Sequence, residues 1–530
     1  MLYELSPYRK NISEAIKGPA IILLLLLQSF VLAITSTTAS RLSAFYGVEP
    51  ETVTWFSQIG TIGLVSAIPV YYRLKLYFKK SDLLMGALVL QVILSVSCYL
   101  INYAPLLLIS NFFISMLKLI CLLDFISLLT DRFPVMRHRA MFYGIYYTIA
   151  RTGGELADIL INPTIEEHDW QSVYLIATVA ASICIVICLL LFHRERMFRK
   201  VPLYQVDWAS MFFFTGASLL LCYVLTYGQV RDWFSNSEII TAFAGCCMFT
   251  FLFIFRQYHV KRPFWDLRVF KDYKQIPLGI TFMVIMYLFY SSNMLFNRYA
   301  AYTFQGEEGY LSMIALITLC AYLLSFPLAG ILLYRRVPVR IMLCLAFLLY
   351  GASLLLFFHD VQTYNAMNNL VAAYLLQGMA YGIMLTTLST FTATNIPRES
   401  NGDRVMGSLF FRYIFASYAG YSLFSNWLFR DTVRHHGYLT EGITFDNPVY
   451  ATEMQQLKGR FLAQGMDLIH ANRAALSLIS KKIELQATLL SIREISLYMA
   501  IGAVLMAMLV LFIRRFEMHE ITEENKYKIV

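Results

Sequence analysis

Charged side chains set within long apolar runs are the residues of this chain best placed to do chemistry. At the centre of a membrane-length helix each costs about 2.5–3.5 kcal/mol on insertion, so such a residue usually faces a cavity or a partner. Lys118 and Asp124 share one apolar run, and Arg151, Glu155 and Asp158 share the next. Arg151 and Glu155, spaced i, i+4, can pair on one helix face. Glu155 and Asp158, spaced i, i+3, put two carboxylates on that face, an arrangement suited to carrying a proton. Asp124, Arg151, Glu155 and Asp158 are therefore ion-coupling candidates. The alternative is a fixed ion pair between the two runs, with Lys118 as the partner.

Uncharged polar groups add a second theme. Tyr143, Tyr146 and Tyr147 sit in the run of Arg151, and Tyr287 and Tyr290 sit in a later one. A tyrosine offers an apolar ring with one polar handle, which suits an amphipathic or aromatic ligand. Near a membrane interface the same residue serves as an anchor, the reading that fits Tyr143. Arg412 is followed by Tyr413, Tyr418 and Tyr421. Asn293, Asn297 and Arg298 lie toward the end of their run, where Arg298 can snorkel to the interface. Gln377 and Tyr381 place hydrogen-bonding groups beside Gly378 and Gly382, which permit close helix approach.

The elements that must position these residues are membrane helices. Of 530 residues, 58% are hydrophobic and only 15% charged, with mean hydropathy +0.58; soluble domains carry about 25% charged residues. Apolar runs at 19–40, 52–72, 83–101, 105–129, 140–161, 171–192, 208–228, 238–256, 275–298, 310–333, 340–358, 367–392, 404–428 and 492–513 give about fourteen spans. The first run follows Arg9, Lys10 and Lys17 but has no A-x-A cleavage site, so it reads as an uncleaved span.

Positive residues set the orientation. Alternate loops hold Arg73, Lys75, Lys79 and Lys80, then Arg132, Arg137 and Arg139, then Arg194, Arg196, Arg199 and Lys200. The series continues with Lys261, Arg262, Arg268, Lys271 and Lys274, and then Arg335, Arg336 and Arg340. The loops between carry Glu49, Glu51, Glu166, Glu167 and Asp169. This places both termini in the cytoplasm of a bacterial inner-membrane protein. The net charge of +9 is thus a topology signal and does not indicate a nucleic-acid partner.

The expected fold class is an all-α membrane protein: a six-helix bundle over 1–200, a two-helix insertion over 201–262, and a second six-helix bundle over 263–530. The hydrophilic stretch 429–491 lies outside the membrane. Leu457, Phe461, Leu468, Leu476, Ile479 and Ile483 give its second half a helical pattern. It is a candidate docking surface for a periplasmic adaptor protein leading to an outer-membrane channel, or a solvated lid folded back on the bundle.

This 6+2+6 layout resembles the fourteen-spanner drug:proton antiporters of the major facilitator superfamily, the EmrB/QacA type, as a divergent member. Thr54-Trp55 opening span 2 resembles the family's T-W pair. Trp170 to Tyr174 resembles its W-x-x-x-F, and Ile483 to Ala487 its Q-A element before the last span. Other signatures are replaced. The loop after span 2 reads Tyr72 to Lys79 without its glycines, the acidic residue of span 1 falls at Thr35, and the arginine of span 4 falls at Asn111. The G-P-x-x-G-G motif of span 5 becomes Arg151-Thr152-Gly153-Gly154-Glu155. The resemblance implies the fold without implying the family's usual proton-coupling residues.

It also implies a midplane cavity lined by spans 1, 2, 4 and 5 and by spans 9, 10, 12 and 13. The cavity candidates are then Gln28, Gln58, Lys118, Tyr147, Tyr290, Asn293, Gln377, Tyr381 and Arg412, with Arg151 and Glu155. Their positive groups favour an anionic or zwitterionic substrate. The expected function is ion-gradient-driven efflux of small amphipathic compounds; uptake and a transport-inactive sensor or scaffold are alternatives.

A membrane-embedded lipid-modifying enzyme is the least favoured class. All nine histidines fall outside the spans, and no P-loop, HExxH or GxSxG is present. His435-His436 is the one place where a metal could bind, and no further ligand has suitable spacing. The nine cysteines lie in apolar runs without a CxxC, as packing residues do. No cofactor or metal is expected.

Overall fold

A computed structural model describes residues 8–9, 12–37, 50–101, 103–167, 171–193, 206–304, 309–363, 365–397, 400–441, 443 and 447–513. Glu49, Asp169, Trp170, Lys10, Arg194, Arg196, Arg199 and Lys200 lie outside the described residues. So do the side chains of Thr35, Glu51, Thr54, Arg137, Glu166 and Glu167.

Each predicted span falls on a helix. The first eight are α1 (Glu14–Thr37), α2 (Pro50–Tyr77), α3 (Lys80–Leu100), α4 (Ala104–Arg132), α5 (Arg139–Glu167), α6 (Ser172–Leu191), α7 (Trp208–Tyr227) and α8 (Ser237–His259). Next is α9, in two pieces, Gln275–Tyr290 and Asn293–Thr303, broken at Ser291 and Ser292. Then come α10 (Tyr310–Tyr334), α11 (Val339–Asp360) and α12 (Met367–Ala393). The helix α13 runs Asn401–Leu409, passes through a π-helical stretch Phe410–Ala416 and continues as Ser417–Glu441. The last two described helices are α14 (Pro448–Ala463) and α15 (Leu468–Phe512).

Among the described residues, eleven helices are long and apolar enough to cross a membrane. The three predicted spans outside that set are α2, α5 and α13, which are the more polar ones. In α5 the polarity comes from Arg151, Glu155 and Asp158.

Two predicted boundaries move. The last span is the C-terminal part of a 45-residue helix. At 1.5 Å per residue α15 is roughly 68 Å long, so about half of it projects beyond a bilayer core. Span 13 likewise continues past 428 to Glu441. The described residues of 429–491 are therefore mostly helical, with Gly465 at φ of 89° between α14 and α15. Leu457, Ile479, Phe461 and Ile483 pack α14 onto α15, whereas Leu468 and Leu476 stay exposed.

Small residues set the helix contacts that frame the site. A Cβ on Gly153 of α5 would lie 2.7 Å from the Leu26 carbonyl oxygen of α1, and one on Gly63 of α2 would lie 2.4 Å from that of Phe112 on α4. On α12, Gly378 and Gly382 meet Ala321 and Ser325 of α10, as their four-residue spacing predicts. Nearer the start of α5, Gly144 touches Gly330 of α10 backbone to backbone. Here α5 from one six-helix set meets α10 from the other.

The helix ends carrying Arg73, Arg132, Arg139, Arg262 and Arg335 form a basic end of the bundle. There α7 lies along α2 and α13, and α8 packs on α7.

Candidate functional site

The site is built along one face of α5. Tyr143, Tyr147, Arg151 and Glu155 recur every four residues, so they climb one side of the helix with a drift of about 40° per step. Each meets a residue of α10, α12 or α13. Arg404 Nη2 donates to Tyr143 Oη at 2.9 Å. Tyr147 Oη shares a hydrogen bond with Ser389 Oγ at 2.8 Å and accepts one from Arg412 Nη1 at 3.2 Å. Arg151 Nη2 donates to Tyr381 Oη. Thr318 Oγ1 donates to Glu155 Oε2 at 2.8 Å.

Beyond Gly144, toward the opposite end, this face opens on a cavity of about 320 Å³. Its α5 wall runs from Tyr146 through Arg151 and Glu155 to Asp158, faced by α1, α2 and α4 and by Arg412 and Tyr413 of α13. Five sequence candidates thus share it: Tyr147, Arg151, Glu155, Asp158 and Arg412.

Phenol rings surround both guanidinium groups. Arg412 Cζ lies 4.2 Å from the ring centre of Tyr413, 5.8 Å from Tyr287 and 5.9 Å from Tyr147. Arg151 Cζ lies 4.9 Å from that of Tyr381. Tyr381 also hydrogen-bonds Tyr287 at 2.9 Å and packs against Tyr290 at 4.4 Å between ring centres. Tyr290 reaches Tyr322 at 3.3 Å. A ring face holds a cation without neutralising it. Arg412 Nε is buried and has no hydrogen-bond partner among the described residues. The π-helical stretch explains its placement: extra residues per turn re-aim side chains, a device common at functional sites.

The expected Arg151–Glu155 pair does not form. The two side chains share a face, but Arg151 turns to α12 and Glu155 to α10. Lys118 does not pair with them either; it is 2% exposed and sits beside Cys98.

The other candidates are held within neighbouring helices, outside the cavity lining. Asp124 accepts from Tyr71 Oη of α2 at 2.8 Å. Gln28 donates to Gln91 of α3 at 3.1 Å, and Gln58 pairs with Thr226 of α7 at 2.9 Å. Asn293 and Gln377 each bury one polar atom without a partner among the described residues. Asn111, in the register of the family's span-4 arginine, donates to Tyr174 of α6 at 3.2 Å. Tyr143 is no interfacial anchor: it is 7% exposed and bound to Arg404. In the outer stretch His435 hydrogen-bonds Glu494 at 2.8 Å.

Thr318, Tyr322 and Ser389 carry no charge and sit in ordinary apolar runs. Only the i, i+4 face of α5 hints in sequence that partners must exist.

Comparison with known proteins agrees with this geometry. Probable multidrug resistance protein EmrY of Escherichia coli is 23% identical over 352 residues, 66% of this chain and 65% of that one. Colistin resistance protein EmrB of Acinetobacter baumannii is 23% identical over 316 residues, 59% of this chain and 60% of that one. The chain thus matches somewhat less than two thirds of those relatives' lengths. The crystal structure of the POT family transporter PepTSo superposes with a TM-score of 0.57 at 12% identity, over 95% of this chain and 99% of that one, a likeness of fold. The profile of the Major Facilitator Superfamily matches residues 21–425, from α1 into α13. Helices α1, α2, α4, α5 and α13 line the cavity, whereas α9, α10 and α12, also expected there, do not; the chain belongs to the Major Facilitator Superfamily, whose members are membrane transporters and not enzymes.

Proposed function

We propose that this transporter exports small amphipathic compounds bearing an anionic or zwitterionic group, driven by an ion gradient across a bacterial inner membrane. The observation that carries the reading is the pair Arg151 and Arg412, both held against phenol rings at one cavity. An anionic head would meet two guanidinium groups, and its apolar body would lie on tyrosine rings.

Residues 1–200 and 263–530 would be the two rocking halves, with 201–262 as a side insertion and both termini cytoplasmic. The α5 face would be the seam that opens and closes. Glu155 and Asp158, at the cavity's other end, would carry the coupling ion. Export is the direction supported by the two resistance-protein relatives.

Flux in proteoliposomes tests this. Anionic amphiphiles should be moved in preference to cationic dyes of equal size. Arg412→Ala should abolish that preference, and Glu155→Gln should uncouple flux from an imposed proton gradient. Flux indifferent to both the gradient and Glu155→Gln would refute the coupling role. No flux for any amphiphile would favour a scaffold role, the alternative that the replaced family motifs leave open.

A further inference from the structure

At the basic end lies a second cavity, of about 420 Å³, bounded by the end of α2, the entry to α7, the segment after α8 and the start of α13. It takes no part in the transport site. Its cations are Arg73, Lys75 and Arg262, and its carboxylates are Asp207 and Asp403.

Asp207 is already neutralised. Arg256 reaches it with Nε at 2.9 Å and Nη2 at 2.9 Å, and Ser210 donates to it from both backbone and side chain. Asp403 accepts the backbone N–H of Asp266 at 2.9 Å. Lys75 lies over the Tyr71 ring, so two cations, Arg73 and Arg262, face the one lining carboxylate that Arg256 does not occupy. The cavity is short of negative charge.

Next to it is a slot of about 310 Å³, almost wholly apolar, between α7, α8 and α13. Phe214, Phe253, Trp265, Phe410 and Phe411 line it. The two spaces adjoin at Phe264, whose ring centre is 6.0 Å from that of Phe214. The slot descends from the basic end past Thr250 to Cys246, thirteen residues in from His259. This is deep into the apolar zone, at roughly 20 Å along the helix. A basic pocket at the membrane surface beside an apolar slot matches a molecule with an anionic head and a hydrocarbon chain.

We infer that one anionic phospholipid from the leaflet at the basic end binds here, its phosphate between Arg73 and Arg262 and an acyl chain in the aromatic slot. So placed it ties the insertion helices α7 and α8 to α2 and α13, one from each half. The insertion then has a physical role, completing a lipid site at the seam.

The test is native mass spectrometry of the full chain from nanodiscs of equal phosphatidylglycerol and phosphatidylcholine. One phosphatidylglycerol should be retained on the wild type. The double variant Arg73→Ala/Arg262→Ala should lower that retention by about tenfold or more. Ala217→Phe, which fills the slot and leaves every cation in place, should also lower it. Lys271→Ala/Lys274→Ala removes two exposed charges of the same end that do not line the cavity, and should leave it unchanged.

Equal loss in that control would show diffuse attraction and overturn the site. Retention that survives Ala217→Phe, or is displaced by glycerol phosphate as readily as by lipid, would overturn the lipid in favour of a free phosphate group. Variants are compared only where size-exclusion profile and Tm match the wild type. Arg73→Lys/Arg262→Lys, which keeps the charge, should restore most of the retention.

Discussion

Helices α4 and α5 both carry charges inside the membrane, and they use them in opposite ways. On α5, Arg151 and Glu155 reach residues 230 and 163 positions away, in the other half of the molecule. On α4, Asp124 binds Tyr71, 53 positions away, and Lys118 stays beside Cys98 in its own bundle. A buried charge is costly on either helix. On α4 the cost is borne within one half of the molecule. On α5 it is met across a seam that must part if the halves rock. On the proposed mechanism, the direction a charge faces, more than its presence, would separate working residues from structural ones.

The sharpest way to break this comparison is to remove one charge from each side. Arg412→Ala should lower transport of an anionic amphiphile by roughly 10- to 100-fold, the worth of a charge-assisted hydrogen bond in a dry site. Lys118→Met keeps volume and discards a buried cation, so flux should stay within about twofold and Tm should rise by a few degrees. Transport lost on Lys118→Met would place α4 in the mechanism and erase the distinction.

A second test addresses the seam itself. A Cβ on Gly144 would stand 3.0 Å from the Phe326 carbonyl oxygen and 3.1 Å from Gly330 Cα. Gly144→Val should wedge α5 from α10 at the basic end, slow the cycle by about tenfold, and cost roughly 1–3 kcal/mol of packing. Cysteine pairs across the crossing would report the wedge as slower crosslinking.

Much of this was legible in the sequence. Apolar run lengths put a helix at each predicted span, eleven of them long and apolar enough to cross a membrane among the described residues, because insertion physics acts on local composition. The site was half legible. Arg151, Glu155, Asp158, Tyr147 and Arg412 stood out as polar groups where polarity is expensive, and they share the cavity. The same logic gathered in Lys118, Asp124, Gln28 and Gln58, since composition records cost and leaves facing unstated. Thr318 was illegible because a hydroxyl costs little in a helix that already bonds it to its own carbonyls, and Ser389 because one small hydroxyl in an apolar run is ordinary. The turn of α5 away from its own i, i+4 pair was hidden too: helix spacing permits Arg151 to meet Glu155, but Arg151 bonds Tyr381 and Glu155 bonds Thr318.

Paired removals of a single hydroxyl sharpen the contrast at smaller amplitude. Tyr147→Phe removes contacts to both Ser389 and Arg412, and should lower flux by about three- to tenfold. Tyr71→Phe removes one bond to a buried carboxylate. It should destabilise the protein by roughly 1–3 kcal/mol and leave flux per folded molecule unchanged. Substrate KM measured on both variants separates the two outcomes.

The smallest effect belongs to a charge pair that neither crosses the seam nor lies deep. Asp207 caps α7 and binds Arg256 of α8, so the pair staples the insertion to itself. Burial alone would raise this carboxyl; hydrogen bonds from Arg256 and Ser210 outweigh it and hold the group below the usual carboxylate value of 3.8. A group lowered on folding adds stability at pH above its unfolded value, and that contribution fades as pH falls through the folded one. Because Arg256 is 39% exposed, the gain is discounted to about 0.5–1 kcal/mol. Asp207→Asn should therefore unfold slightly more easily than wild type at pH 7, and the two melting curves should converge below about pH 4. Transport per folded molecule should not change at any pH, since nothing in this pair spans the two halves. A flux defect at pH 7 would mean that the insertion hairpin moves with the cycle, and would join it to the working side of the comparison.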